Sequence, residues 1–411
     1  MRSNYFLPFF MGSIFWFSSC QPKEIKQTEK TPAAYQPGSF GYDLNFLQNH
    51  DRVLVLKNES GQAQVLVSAK YQGKVFTSTA NGLNGKSFGW INYKAFTAPK
   101  DPHMSAYGGE NRLWLGPEGN KFSLYFKPGV PMEFANWVTP PAIDTESWNI
   151  ISQNKRSASM QKEATFLNYA GTELKTRLTR RIQILENADI EEMLPVKVTG
   201  NLQTVGFTSN NAITNTGEQA WTKITGAPCL WLLDMFNPSP QTTIIIPHET
   251  KGTTKIATTD YFGEIPADRI KFKKDVLLFK ADGKTRGKLG LGPERAKPIA
   301  GSYDAQNNVL TIIQFEVIKT ATYLNQAWNT QQNPFHGDAV NAYNDGPLTD
   351  GSQMGPFYEL ESVSPAAFLS PGQTLHHQHS VFHFTGDTTA LNQIAEELLG
   401  ISLEQTQAAF K

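Results

Sequence analysis

From residue 52 onward the chain reads as short runs of β-branched and aromatic residues broken by Gly, Asn, Asp and Pro. RVLVLKN, AQVLVSAKY, GKVFTSTA, FGWINYKAF, RLWLGP and KFSLYF come first. KVTGNLQTV, TTIIIPH, DVLLFKA, VLTIIQFEVI and the stretch from 356 to 384 follow. Runs spaced about ten residues apart, with turn residues between them, predict antiparallel strands in packed sheets.

The segment TELKTRLTRRIQIL (172–185) alternates most cleanly. Glu173, Lys175, Arg177, Arg181 and Gln183 share one parity; Leu174, Leu178, Ile182 and Ile184 share the other. Successive strand side chains point to opposite faces, so the second set faces inward. Arg180 belongs to that inward set. A guanidinium there needs a partner, either a structural carboxylate or a ligand, because burying an unpaired charge costs several kcal/mol.

Helical spacing is confined to two places. DLNFLQNH (43–50) predicts a short helix with Asp43 as N-cap. TTALNQIAEELLGI (388–401) carries Leu391, Ile394, Leu398 and Ile401 at three- and four-residue steps, with Gly400 as a stop. No internal repeat and no long linker interrupts the body. One β domain over residues 40–411 is therefore expected.

The first forty residues differ. Arg2 precedes an apolar run that ends in SSC at Cys20. The run has the length of a signal-peptide core and is too short for an ordinary membrane span. Small residues ahead of a cysteine resemble the lipobox of bacterial lipoproteins, which implies a signal peptide over 1–20 and a lipid on Cys20. A plain secretory signal with a chance cysteine is the alternative. Residues 21–39 are charged and rich in Pro and Gln, and so read as a flexible tether. The expected setting is the bacterial envelope: a body anchored through lipidated Cys20, at the outer membrane, in the periplasm or at the cell surface.

Composition narrows the partners. The 37 basic and 37 acidic residues cancel, and no basic block appears, so nucleic acid is not an expected partner. The only cysteine besides Cys20 is Cys229, in an apolar run, expected to be a small buried hydrophobe. The 8 Trp and 13 Tyr suit a large core and also the flat faces of sugar rings. LGPEGN (115–120) and LGPER (291–295) read as turns. No phosphate loop or serine-nucleophile elbow is present, so no cofactor is predicted.

The richest chemistry lies in PFYELESVSPAAFLSPGQTLHHQHSVFHF (356–384). On a strand, Glu359 and Glu361 share a face about 7 Å apart, a geometry for polar recognition, proton transfer or cation binding. His377, His379 and His383 share one parity and His376 takes the other. Without matched acidic residues they predict the polar outer face of a terminal strand rather than a metal site. NPFHGDAVNAYNDGPLTDG (333–351) reads as a long polar loop bordering a pocket, without the spacing of a calcium loop.

Ordered motifs carry a family resemblance. Asn111-Arg112-Leu113 with Gly119, and later Glu361, Pro365 and LSPG (369–372), resemble the aldose 1-epimerase, or galactose mutarotase-like, superfamily. GGENRLWLGPE, NPFHGDAVNAYNDGP and FYELESVSP are also similar to a group of uncharacterised Bacteroidetes lipoproteins, the family DUF6786. The resemblance implies an all-β fold, a large antiparallel β-supersandwich with few short helices and a C-terminal helix. It implies a carbohydrate site in which Glu361 matches the base and Arg112 a pocket arginine. The epimerases' mid-chain histidine motif has no counterpart, since the surroundings of His248 do not match.

The candidate catalytic residues are accordingly Glu361, Glu359, His336 and His103. The candidate substrate-binding residues are Arg112, Glu110, Asn111, Trp114, Arg180, Trp328 and Asp338. The expected ligand is a carbohydrate, bound for proton transfer or for hydrolysis by two carboxylates. A non-catalytic carbohydrate-binding envelope lipoprotein, or a structural component of the envelope, is the alternative.

Overall fold

Alternation builds the sheets. The computed structural model describes residues 35–105, 108–199 and 201–411; the expected leader, Cys20 and tether residues 21–34 lie outside the described residues. In chain order the strands are β1 (Leu54–Lys57), β2 (Gln64–Ser68), β3 (Lys74–Thr79), β4 (Arg112–Gly116), β5 (Asn149–Gln153), β6 (Ser157–Leu167), β7 (Glu173–Ile184), β8 (Leu202–Asn215) and β9 (Cys229–Phe236). They continue as β10 (Thr242–Pro247), β11 (Ile270–Phe272), β12 (Val276–Lys280), β13 (Gly287–Leu291), β14 (Ile299–Asp304), β15 (Val309–Phe315), β16 (Val340–Asn344), β17 (Tyr358–Val363) and β18 (Thr374–Gly386). The α-helices among the described residues are α1 (Phe40–Gln48), α2 (Asn187–Met193), α3 (Thr388–Leu399) and α4 (Leu403–Ala408).

Three sheets form, and every pairing between these strands is antiparallel. A ten-stranded sheet runs β11-β12-β10-β14-β15-β18-β8-β7-β6-β5, a five-stranded sheet β13-β16-β17-β9-β4, and a small one β1-β2-β3. This is the expected antiparallel all-β architecture. Tyr35–Lys411 is one compact unit.

The ten-stranded sheet has two apolar faces. Its inner face supplies Ile182, Val205, Phe207, Ile213, Ile244, Ile313 and Val381 to a core shared with Leu113, Leu115, Leu230, Leu232, Leu289 and Leu360 of the five-stranded sheet. Its outer face, with Ile245, Leu310, Ile312, Phe382 and Phe384, is covered by Ile190, Leu391, Ile394, Leu399 and Leu403 of the helices. Helix α3 forms as its spacing predicts: Asp387 accepts from Ala390 N, and Gly400 ends it in the left-handed region at φ 72°.

Helix α1 starts three residues earlier than expected. Ser39, not Asp43, caps it, while Asp43 is buried in the first turn and accepts from Ser87 and Tyr93. FGWINYKAF is not a strand: it makes isolated bridges and a 3-10 turn at Tyr93–Phe96, and Gly89 passes so close to Phe76 that a Cβ there would strike its backbone. KFSLYF is a buried loop, with Phe122, Leu124, Tyr125 and Phe126 all inside, so consecutive burial mimicked a strand. The polar segment 333–351, expected to be a loop, contains β16, whose Asn344 Nδ2 donates to the Thr285 carbonyl, so part of it sits in a buried strand.

The histidines depart most from expectation. β18 lies between β15 and β8, in the interior of the sheet rather than at its edge. His377, His379 and His383 are therefore covered, and only His376 is exposed. His379 Nε2 lies 2.6 Å from Asp234 Oδ2, and its Nδ1 lies 2.8 Å from Ser362 Oγ. Ser362 Oγ also lies 2.9 Å from His377 Nε2. From the other side Arg180 Nη2 donates to Asn111 Oδ1, and Asn111 Nδ2 donates to Asp234 Oδ1 at 2.6 Å.

One assignment of hydrogens satisfies this chain. His377 Nε2–H donates to Ser362, Ser362 to His379 Nδ1, and His379 Nε2–H to Asp234. Every bond then points towards Asp234. The bare acceptor left over is His377 Nδ1, which has no partner. Burial and then His379 push the pKa of His377 down to about 3, in keeping with that bare nitrogen. Burial lowers Arg180 to about 9, against the opposing charge of Asp234.

Removing Asp234 leaves buried donors from both sides without an acceptor. Asp234→Ala is expected to cost about 3–5 kcal/mol in urea denaturation. Adding Arg180→Met should restore part of that loss.

Candidate functional site

Pairing register places the candidate residues. Directly opposed residues in antiparallel strands share a face. One row across the five-stranded sheet is Arg112, Leu233, Glu361, Asn341 and Gly290. A second is Met235, Glu359, Tyr343 and Lys288, and a third is Trp114, Trp231 and Val363. All three rows lie on the face turned away from the ten-stranded sheet. Arg112 and Glu361, distant in sequence, thus stand two strands apart, about 10 Å between backbones.

The side chains on this face form one charged and aromatic cluster. Arg112 Nη2 pairs with Glu359 Oε1 at 2.8 Å, and its guanidinium lies 4.9 Å from the Trp114 ring. Lys288 Nζ donates to Glu361 Oε2 at 3.0 Å, and Trp231 Nε1 donates to the same oxygen at 2.8 Å. The Lys288 ammonium lies 4.7 Å from the Trp231 ring. Glu361 is 0% exposed and Lys288 7%. Burial works against the charge on Lys288, but Glu361, Glu118 and Glu359 outweigh it and raise its pKa.

Burial sets the carboxyl groups apart. It pushes Glu359 up to about 7, with Arg112 opposing and Glu361 assisting. It pushes Asp338 up to about 6, with the Tyr261 hydrogen bond opposing. It also raises Glu118, whose carboxyl is engaged by the Trp328 indole. Among the described residues, four polar atoms around the cluster are buried without a hydrogen-bond partner: Glu361 Oε1, Arg112 Nε, Trp114 Nε1 and Trp137 Nε1. Buried groups of this kind are normally satisfied, so each is a place for a ligand or water atom.

Aromatic rings extend from the cluster towards the surface. Trp114 lies 5.7 Å from Trp231 and 6.2 Å from Trp137. Trp137 stacks with Tyr125, Trp328 and the exposed Phe134, and Phe134 stacks with His103 at 4.5 Å.

The expected residues therefore divide. Arg112, Trp114, Glu359, Glu361 and Asp338 come together, and Trp328 joins through Glu118. Glu110, Asn111 and Arg180 do not join them. Glu110 accepts from Ser78 and bonds His383 Nε2 at 3.0 Å, and Asn111 and Arg180 belong to the Asp234 chain. Asn111 turns away because it immediately precedes Arg112, the first residue of β4, in extended chain bridged to Val75, and neighbours there alternate. His336 is exposed beside Tyr323, and His103 sits at the outer end of the aromatic stack.

Lys288, Trp231 and Tyr261 were missed. Lys288 was legible only as an alternating charge in GKLGL, and its partner is 73 residues away. Among the described residues no group of three or more His, Cys, Asp or Glu is arranged to hold a metal ion. A surface hollow of about 380 Å³ lies elsewhere, lined by Tyr42, Asp43, Trp90 and Tyr93 among others. The carboxylate there is already bonded by Ser87 and Tyr93, so the chemistry favours the cluster.

Asp338 yields a pH prediction. Its folded pKa of about 6 exceeds the ordinary 3.8, so between these values the folded chain binds more protons than the unfolded chain. This carboxyl therefore lowers stability as pH rises through that window. Relative to wild type, Asp338→Asn should be more stable at pH 8 than at pH 4.5, by on the order of 2 kcal/mol. Thermal unfolding at the two pH values checks the sign.

Among curated proteins none matches the chain. Similar solved structures include a candidate aldose 1-epimerase from Escherichia coli K12, at 13% identity and a TM-score of 0.49, covering 80% of this chain and 98% of that one. A protein from Synechocystis sp. is similar at 14% identity and a TM-score of 0.49, covering 82% and 96%. A galactose mutarotase-like protein from Lactobacillus casei is similar at 10% identity and a TM-score of 0.44, covering 80% and 99%. The model of the family of unknown function DUF6786 matches residues 38–410, and the chain belongs to that family.

Proposed function

We propose that the outward face of the five-stranded sheet is a carbohydrate site and that Glu361 is its proton-accepting group. The observation that carries this reading is the convergence of Arg112, Glu359, Glu361 and Lys288 with Trp114 and Trp231 on one sheet face. Sugar rings need flat apolar surfaces for their C–H faces and paired donors and acceptors for their hydroxyls. The cluster has both, and Glu361 Oε1 is an unpartnered acceptor beside them. The motifs around Arg112 and Glu361 that resemble the mutarotase-like superfamily support the same reading.

Glu361 is closed from solvent, so a ligand reaches it only when an overlying side chain moves. Tyr261, on the connection from β10 to β11, is one such side chain: its ring lies 5.9 Å from Lys288 Nζ. Polarimetry of a panel of aldoses tests proton transfer. The expected outcome is faster anomer exchange than buffer alone, reduced roughly a hundredfold or more by Glu361→Gln.

A second reading has its own support. With Lys288 and Trp231 both donating to Oε2, Glu361 also suits a fixed hydrogen-bond acceptor in a binding protein without catalysis. Calorimetry showing sugar binding with no rate acceleration would favour it.

The reading includes an anchor. The body would be held at a bacterial envelope membrane, at the outer membrane, by lipid on Cys20. No helix among the described residues is long and apolar enough to cross a membrane. Cys20→Ser is expected to move the chain from the membrane fraction to the soluble fraction; unchanged fractionation would refute the anchor.

A further inference from the structure

Anomer exchange through a base alone is incomplete. When the anomeric hydroxyl gives up its proton, the ring oxygen must gain one from a group across the sugar. Among the described residues no histidine stands there: His336 is exposed, and His103 stacks on Phe134 at the end of the aromatic row. This inference rests on the saccharide reading of the Glu361 face and asks which side chain completes it.

Three other carboxyl groups bear on the cluster. Glu359 is committed to Arg112 at 2.8 Å, and Glu118 to the Trp328 indole. Asp338 is held differently. A Cβ at Gly290 would overlap Asp338 Oδ2 and Asn341 Nδ2, so the carboxyl occupies space that only glycine leaves. Tyr261 Oη donates to Oδ2, which fixes the carboxyl and makes Oδ1 the oxygen to carry a proton. Gly290, Asn341 and Glu361 are successive members of one cross-strand row. Asp338 above Gly290 and Glu361 are thus separated by about two strand spacings, roughly 10 Å at the backbone, with Asn341 between them; that span matches one sugar ring with a hydrogen bond at either side once the Asn341 and Tyr261 side chains move aside.

We propose that Asp338 is the proton donor to the sugar ring oxygen, opposite Glu361, with Tyr261 as its positioning residue. In the forward step Glu361 Oε1 takes the proton of the anomeric hydroxyl. That oxygen's electron pair forms the carbonyl, the bond from the anomeric carbon to the ring oxygen breaks, and the ring oxygen takes the proton from Asp338 Oδ1. Rotation about the carbonyl-bearing bond and reversal of the same transfers give the other anomer and restore both groups. Burial holds Asp338 near 6, so part of the population keeps its proton close to neutrality; the groups acting on it are Tyr261, Lys255, Lys288 and Glu361. Two carboxyl groups in one site with opposed protonation demands are the arrangement that acid–base chemistry needs.

The test uses the full-length chain in detergent. Polarimetry across pH is run on wild type, Asp338→Asn, Gly290→Ala, Tyr261→Phe and Glu361→Gln, with sugar binding by calorimetry and folding by thermal melting. The expected result is a kcat/KM that falls above about pH 6 in wild type. Asp338→Asn and Gly290→Ala should lose roughly a hundredfold or more in rate while sugar binding changes less than about threefold. Tyr261→Phe removes a bond that lowers the Asp338 pKa and should move the falling limb to higher pH, a change that lost packing alone would not produce. If Asp338→Asn does not fold, that pH shift decides, and an unmoved limb overturns the proposal.

A full rate in folded Asp338→Asn, with Glu361→Gln inactive, overturns the proposal and leaves the saccharide site standing. Sugar binding without acceleration by wild type overturns it in favour of a binding protein. Absence of both binding and acceleration for every sugar overturns the saccharide reading and the inference together.

Discussion

Neighbouring side chains on a strand point to opposite sides, and the five-stranded sheet uses both sides for polar groups. Arg112 and Glu361 stand on the outward face. Asn111 and Ser362, one residue away from each, stand on the inward face and belong to the Asp234 chain. The two faces are therefore mechanically one object. The strands that present the cluster are fixed from behind by bonds that converge on a single carboxylate.

That arrangement accounts for the cost accepted inside the molecule. A guanidinium, three imidazoles and two carboxylates between sheets oppose folding unless each finds a partner. Here Arg180, His379 and Asp234 are joined end to end, and His383 with Glu110 forms a second, separate pair. An apolar core of equal volume would pack as well. A directional network adds register, because β4, β9, β17 and β18 must align for its bonds to form. Register matters most where a slip of one residue would turn Glu361 inward.

The outward face follows a different rule. Its carboxyl groups are not all neutralised by equal partners, and burial spreads their protonation: Glu359 near 7 and Asp338 near 6, beside a Glu361 held by a lysine and an indole. Such spread is typical of sites that move protons or select polar ligands, though structural ion-pair networks also produce it. The indole and guanidinium nitrogens beside these groups are, like the Glu361 carboxyl oxygen, buried without a partner among the described residues.

Local periodicity determined much from the sequence alone. The alternation in 172–185, the helix at 388–401 and the shared face of Glu359 and Glu361 are consequences of strand and helix geometry, and they form as read. Consecutive burial misled at 121–126, where a loop is as apolar as a strand, and the polar composition of 333–351 hid β16. Only tertiary structure decided which side of a strand meets which layer. Parity tells that His377, His379 and His383 share a face, but whether that face meets water or another sheet depends on strand order. The same limit kept Lys288 and Tyr261 out of sight, and gave Asn111 to the interior while its neighbour Arg112 went to the cluster. Covalent geometry fixes what alternates; long-range pairing fixes what each side touches.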